Sequence, residues 1–163
     1  MTRSTHTIEH FRVETAKGFT EVATAFERQL GKYAPAVFQA FRAAPPRAED
    51  ARSRLEVMTG PSGFVLFGTT DHGWLLSLFG ATTQQAVQFV VGNPLIAVEM
   101  TRHNLAAGLY APLRVLIYEA EGKTRVEYDR PSSALGQFGD HRIDSVARLL
   151  DRKLEALIAT AVG

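Results

Sequence analysis

Residues 112–129 read PLRVLIYEAEGKTRVEYD, and this stretch decides the fold class. Two runs of strand-forming residues, 112–120 and 123–129, flank the dipeptide Glu121-Gly122. A two-residue connection containing glycine between such runs indicates a tight β-hairpin, whose strands are antiparallel. Strands paired in this way, with helices between the groups, predict an α+β fold and not a doubly wound parallel sheet.

The segments on either side of the hairpin supply a further strand and two helices. Upstream, QQAVQFVVG (84–92) predicts a buried strand, and residues 93–109 predict a helix with an apolar face. Downstream, apolar residues recur at helical spacing from about residue 140 to residue 161. This stripe predicts a long amphipathic helix that covers the core.

The chain opens with one strand and one helix. Residues 7–14 alternate in the manner of a strand, and residues 19–30 place apolar side chains at helical spacing, with Gly31 just past the end. Farther along, GFVLFGTT (63–70) predicts another strand. Together these elements predict a twisted antiparallel sheet with helices packed on one face.

Residues 34–60 fit this pattern least well. We expect a short helix within 34–44, which Pro45-Pro46 ends because proline disfavours helix in the residue before it. The run RAEDARSR (47–54) is interpreted as a charged connector and LEVMTG (55–60) as a further strand. The whole region is interpreted as a surface excursion.

Composition narrows the class of protein. The chain has 163 residues, 45% hydrophobic and 21% charged, which is typical of one globular domain spanning 1–163. With a net charge of only +1, the protein as a whole has no electrostatic attraction that would steer it to nucleic acid or to an anionic membrane. There is no cysteine, no membrane-length apolar run and no signal-peptide pattern, so we expect a soluble cytoplasmic protein.

The pair Asp71-His72 is the first candidate site, because it follows the predicted strand 63–70. A carboxylate can orient an imidazole, which then acts as a base or a ligand. The alternative is structural: Asp is a favoured N-cap, and Asp71 would begin a short helix running from His72 to Phe79. The two roles are compatible.

Two further stretches carry candidate residues. In Gly92-Asn93-Pro94, Asn93 is a good helix N-cap, and a turn of this kind can also direct N–H groups at an anion. Tyr128, near the end of the last strand, would either close the wall of a pocket or form a structural hydrogen bond. No histidine pair has metal-site spacing and no cofactor motif is present, so we assign no metal ligand and leave the cofactor open. A metal site on His72 is a further, weaker alternative, whose other ligands would be histidine, carboxylate or water because the chain has no cysteine.

Three functions remain open from these residues. The first is binding of a small molecule or anion, if the turns at Asp71-His72 and Asn93 share one edge of the sheet and Tyr128 completes the pocket. The second is a dimerisation or protein-interaction domain whose motifs are purely structural, with Phe38, Phe41 and Trp74 as contact candidates. The third is general acid–base catalysis by His72, which needs a partner group within hydrogen-bond reach.

The order of these motifs resembles the bacterial domain-of-unknown-function family 302. The similarity rests on GFVLFGTTDHG (63–73), VVGNP (90–94) and LAAGLYAPLRVLIYEAEGKTRVEYDRP (105–131). The matching positions are Asp71, His72, Gly92, Asn93, Pro94, Pro112, Tyr128 and Pro131. The opening strand and helix and the terminal helix also correspond, so the resemblance covers about 7–31 and 63–160.

The resemblance implies a fold like that of the TATA-binding protein, with a curved antiparallel sheet and helices on one side. It implies no DNA binding, because a fold does not determine a function, and it brings no activity with it. It makes a homodimer an expected state. The excursion at about 32–62 departs from the family pattern, and it would cover a sheet edge, extend a dimer interface or form a lid over a pocket.

Overall fold

The computed structural model describes residues 3–81 and 84–163. The strands are β1 (His10–Thr15), β2 (Leu30–Lys32), β3 (Phe64–Asp71), β4 (Ala86–Gly92), β5 (Leu113–Ala120) and β6 (Lys123–Asp129). The α-helices are α1 (Phe19–Arg28), α2 (Pro35–Ala43), α3 (Ala48–Val57), α4 (His72–Ser77), α5 (Pro94–Thr101), α6 (Pro131–Leu135) and α7 (His141–Val162). Two 3-10 helices lie at Leu105–Tyr110 and Gly136–Phe138.

The six strands form one open sheet in the order β1-β6-β5-β4-β3-β2. The predicted hairpin joins β5 and β6, and Glu121 and Gly122 both take positive φ angles, 55° and 73°, as a type I′ turn requires. The α+β class is thereby confirmed. The sheet is not wholly antiparallel, however, because β2 pairs with β3 in the parallel direction. Likeness to the TATA-binding protein stays a prediction.

One face of the sheet carries the hydrophobic core. Side chains that alternate along the three central strands project from this face and are buried: Phe89, Val91, Val115, Ile117, Val126 and Tyr128. Helices α1 and α7 pack there, and the ring of Phe26 on α1 lies 5.1 Å from that of Phe89. The long terminal helix is thus confirmed. No helix in the described ranges is long and apolar enough to cross a bilayer.

The structure corrects two predictions for the excursion. The charged run forms most of helix α3, and the strand expected at 55–60 is wrong because Leu55–Val57 complete that helix. Glu49 and Asp50 in the first turn and Arg54 in the last complement the helix dipole. Helix α2 confirms the short helix expected within 34–44, whereas α3 buries no residue and lacks the apolar stripe by which helices are recognised.

The predicted helix over 93–109 is also divided. Helix α5 ends at Thr101, and after a short turn Asn104 begins a 3-10 helix by accepting a hydrogen bond from the N–H of Ala106 at 3.0 Å. An Asx cap of this kind competes with continued helix. The first helix is likewise shorter than expected, because Leu30 already belongs to β2.

Candidate functional site

Asp71 is the N-cap of α4, as the structural interpretation predicts. Its Oδ1 accepts a hydrogen bond from the N–H of Trp74 at 2.8 Å. His72 is the first residue of this six-residue helix, and its side chain is exposed. Acid–base chemistry by His72 would require a partner and a water-excluding pocket, whereas the histidine lies on an open surface.

Asn93 is the N-cap of α5 and has a second structural contact. Its Oδ1 accepts hydrogen bonds from the N–H groups of Leu95 and Ile96, at 2.8 and 3.3 Å. Its Nδ2 donates to the carbonyl oxygen of Gly63 at 2.8 Å, which ties the start of β3 to the end of β4. Both ends of the amide are therefore engaged within the protein.

The Asp71-His72 and Asn93 turns lie at opposite ends of the sheet. Because β3 and β4 are antiparallel, Asp71 pairs with Val87, whereas Gly92 pairs with Val65. Five residues of β4 separate these two levels, which corresponds to roughly 17 Å of strand. The expectation that both turns share one edge is therefore wrong: each follows a strand, but the two strands run in opposite directions.

Tyr128 lies on the core face of β6, away from both turns. Its ring stacks on that of Phe11 in β1, with centroids 5.4 Å apart and planes 20° from parallel. Burial raises the pKa of its phenol. The structure thus does not bring the four predicted residues into one pocket, and ligand contacts for each of them stay predictions.

An apolar cavity of about 190 Å³ lies beside the Asn93 turn. Its walls come from the segment after β2, helix α2, strand β3, the start of α5, the loop into β5 and helix α7. The lining residues are Tyr33, Phe38, Phe67, Gly92, Asn93, Pro94, Ile96, Ala97, Met100, Ala111, Pro112, Leu113 and Leu150. Of the predicted site residues, only Asn93 belongs to it.

Three aromatic rings form one side of this cavity. A β-bulge between Leu66 and Gly68 shifts the register of β3 around Phe67. The ring of Tyr33 then lies 5.1 Å from Phe67 and 5.2 Å from Phe38. The excursion thus supplies Tyr33 and Phe38 to the wall. The sequence analysis names Phe38 only as a contact candidate for a partner and does not single out Tyr33.

Gly92 opens the floor of the cavity. A Cβ atom at this position would lie 3.2 Å from Cβ of Pro112 and 3.3 Å from the ring of Phe67. Both distances are tighter than ordinary van der Waals contact. A side chain at this position would need Pro112 or Phe67 to move by a few tenths of an ångström, so Gly92 has a packing role beside the cap at Asn93.

The opposite face of the sheet carries a network of charged side chains. Glu127 on β6 accepts hydrogen bonds from Tyr118 at 2.6 Å, from Arg12 at 2.5 Å and from His10. Burial alone would raise the pKa of Glu127, but these three donors lower it. Every member has a protein partner, so the network stabilises the sheet. Within the described ranges, no group of three His, Asp or Glu residues is placed to hold a metal ion.

Comparison with known families identifies the type of domain. The family model described as "Domain of unknown function DUF302" matches residues 42–161, well over half of the chain. The chain belongs to the DUF302 family. This confirms the resemblance that the motif order indicates. The match begins within α2, and no curated protein matches the sequence.

A solved DUF302 structure has the same fold. It is the crystal structure of an uncharacterized conserved protein DUF302 from Bacillus stearothermophilus, and it aligns with a TM-score of 0.66 at 18% sequence identity. The alignment covers 93% of this chain and 97% of the other. The two DUF302 chains therefore share their architecture over nearly their full lengths.

Proposed function

We propose that this DUF302 domain binds a small, neutral, largely apolar molecule in the cavity beside Asn93. The observation that carries the proposal is the cavity itself, about 190 Å³ with an almost wholly apolar lining. An enclosed apolar cavity of roughly 150 Å³ accepts benzene, and the space beside Asn93 has a similar volume but is partly open to solvent. A space of this size and polarity therefore suits a single or fused aromatic ring.

The lining favours a neutral ligand over an anion. It contains no charged side chain, and the Asn93 amide is already engaged with Leu95, Ile96 and Gly63. An anion would lose its hydration without gaining a charged partner, which is costly. The rings of Tyr33, Phe38 and Phe67 would contact an aromatic ligand by stacked or edge-on packing.

Nuclear magnetic resonance titration with indole, and with benzoate as a charged comparison, tests the proposal. We expect indole to shift the methyl resonances of Met100, Leu113 and Leu150, and benzoate to leave them unchanged. The substitution Ala97→Leu fills the cavity from α5 and should weaken indole binding by about tenfold or more, equivalent to 1.4 kcal/mol.

Val98→Leu is the matched control, because Val98 is the next residue of α5, is about half exposed and does not line the cavity. It should bind indole as the wild type does. Absence of methyl shifts with indole would overturn the proposal, as would equal binding by the Ala97→Leu and Val98→Leu variants.

A further inference from the structure

Part of the outer edge of β3 has no strand beside it. β2 pairs with β3 only from Phe64 to Leu66, and no other strand of the described chain continues along residues 67–71. Gly68 and Thr69 are exposed there. An exposed strand edge presents unpaired N–H and C=O groups that can pair with another strand.

A groove of about 530 Å³ runs beside this free edge, between α1 and the core face of the sheet. Its apolar lining includes Phe19, Ala23, Leu66, Val87 and Phe89. Thr69 points toward the groove because it pairs with Phe89 and so shares its face. A strand added at the edge would therefore gain apolar contacts as well as backbone hydrogen bonds.

The chain continues from this edge into a patch of exposed apolar side chains, here called the 74–79 patch. Its members are Trp74, Leu75, Leu76, Leu78 and Phe79, with exposed fractions from 39% to 88%. Five large apolar side chains within six residues are all left uncovered in the single chain. Such a patch marks an interaction site.

We propose that a second copy of this chain docks here, with β3 pairing antiparallel to β3 across a two-fold axis. A two-fold interface is self-complementary, because the same surface is used by both copies. β2 already occupies the edge as far as Leu66, so the added strand has room only along 67–71, and the axis passes close to Thr69. This inference is independent of the ligand cavity.

The charges at the two ends of the free edge are complementary in this arrangement. Lys32 ends β2 beside Leu66, and Asp71 ends β3. With the axis at Thr69, Lys32 of one copy faces Asp71 of the other, and the contact occurs twice. Among the described residues neither side chain forms an ion pair within its own chain. Such pairs fix register and orientation.

The same arrangement covers the 74–79 patch. Because α4 directly follows the paired strand, it would meet Tyr33 and α2 of the second copy, and α2 has no buried residue of its own. A stable interface needs roughly 800 Å² per partner, and the patch, the free edge and the groove would each contribute area to it. A second copy therefore accounts for all three surfaces.

Sedimentation equilibrium on the wild-type chain and surface variants tests the proposal. We expect a wild-type dimer whose dissociation constant rises at least about tenfold with Phe79→Asp, since the side chain is 88% exposed in the single chain. Leu105→Asp is the matched control, because Leu105 is 86% exposed but belongs to the 3-10 helix after α5 and not to β3, the groove or the 74–79 patch, and this variant should remain dimeric. Lys32→Glu should weaken the dimer, and adding Asp71→Asn, which keeps the cap, should restore part of it.

Hydrogen exchange distinguishes strand pairing from any other dimer. The backbone amides within 67–71 that point away from β4 should exchange slowly in the wild type and quickly in the Phe79→Asp variant at the same protein concentration. A monomeric wild type would overturn the proposal. So would a dimer that Phe79→Asp and Leu105→Asp affect equally, or one in which these amides exchange at the same rate as in the monomeric variant.

Discussion

Asn93 joins three segments of the backbone through one side chain, so its removal should cost more than the loss of a cap. Asn93→Ala deletes the acceptor for Leu95 and Ile96 and the donor to Gly63. We expect a loss of about 2–3 kcal/mol in the free energy of unfolding, measured by urea denaturation.

Asn104→Ala is the control for this substitution. Asn104 caps the 3-10 helix by accepting one hydrogen bond, from the N–H of Ala106, in an exposed position. Its removal should cost about 1 kcal/mol or less. Equal losses in the two variants would show that the Asn93–Gly63 contact adds nothing to stability.

His10 provides a pH-dependent test at the same scale. When protonated, its ring donates hydrogen bonds to carboxylate oxygens of Asp129 at 2.9 Å and of Glu127 at 3.2 Å. The hydrogen bond to Asp129, supported by Glu127, raises the pKa of His10 above its ordinary 6.5. Protonated His10 therefore stabilises the folded state. This contribution is fully present below pH 6.5 and is lost as the pH rises through the raised pKa.

The Asp129→Asn variant should lower the pKa of His10 toward 6.5, as followed by the imidazole proton resonances. Glu49→Gln, on helix α3, changes the same charge at a distance and should leave the titration of His10 where it is. A His10 pKa that does not move in the Asp129→Asn variant would show that the 2.9 Å contact is not maintained in solution.

The roles of single residues in helix capping are the features that the sequence predicts best. The caps at Asp71 and Asn93 are local, since each depends on backbone groups within three residues, and both predictions are confirmed. Their separation is not local. It depends on the antiparallel pairing of β3 with β4, which the strand patterns do not reveal. A site assembled from both turns was therefore beyond what the residues alone could establish.

At the scale of elements, the contact between β2 and the turn after α3 depends on glycine. A Cβ atom on Gly31 would lie 1.8 Å from the backbone oxygen of Met58 and 2.6 Å from the backbone nitrogen of Gly60. These neighbours are backbone atoms, which cannot move aside for the added methyl group as a flexible side chain could. Gly31→Ala should therefore cost at least about 2 kcal/mol in thermal or urea unfolding.

Gly136→Ala supplies the comparison, because a Cβ atom there meets nothing within 4 Å and the backbone is already helical, with φ of −61°. It should be neutral or slightly stabilising, by up to about 1 kcal/mol. If Gly31→Ala proved equally mild, the close approach of β2 to the α3 turn would not exist in solution.

The elements that sequence reasoning missed share a physical cause. Strand β2 has three residues and pairs in parallel with β3, so it is too short to show any alternation. Helix α3 buries no side chain, so it has no apolar stripe. Both are held by contacts with distant segments, whereas β4, β5, β6 and α7 carry their own periodicity and were predicted.

At the scale of the molecule, the excursion joins the two proposals. It supplies Tyr33 and Phe38 to the apolar cavity, and the same α2 surface would face the 74–79 patch of a second copy. The two sites are nevertheless separable, because indole binding and sedimentation are independent measurements. A chain that failed to bind indole could still dimerise, and a monomeric chain could still bind indole.

Whole-molecule stability should respond to a ligand only where the ligand fills space. Met100 and Leu154 are both buried in the core, at 1% and 0% exposure, but only Met100 lines the cavity. Replacing either by alanine should cost about 2–5 kcal/mol. In the Met100→Ala variant the deleted atoms enlarge the ligand cavity, whereas in Leu154→Ala the space opens elsewhere.

Indole should therefore raise the melting temperature of the Met100→Ala variant more than that of the wild type. The Leu154→Ala variant should gain no more than the wild type does. A ligand present at 100 times its dissociation constant stabilises the folded state by about 2.7 kcal/mol, enough to resolve these differences. Equal indole-induced shifts in the two alanine variants would place indole outside the cavity, because an external site is indifferent to which core side chain has been shortened.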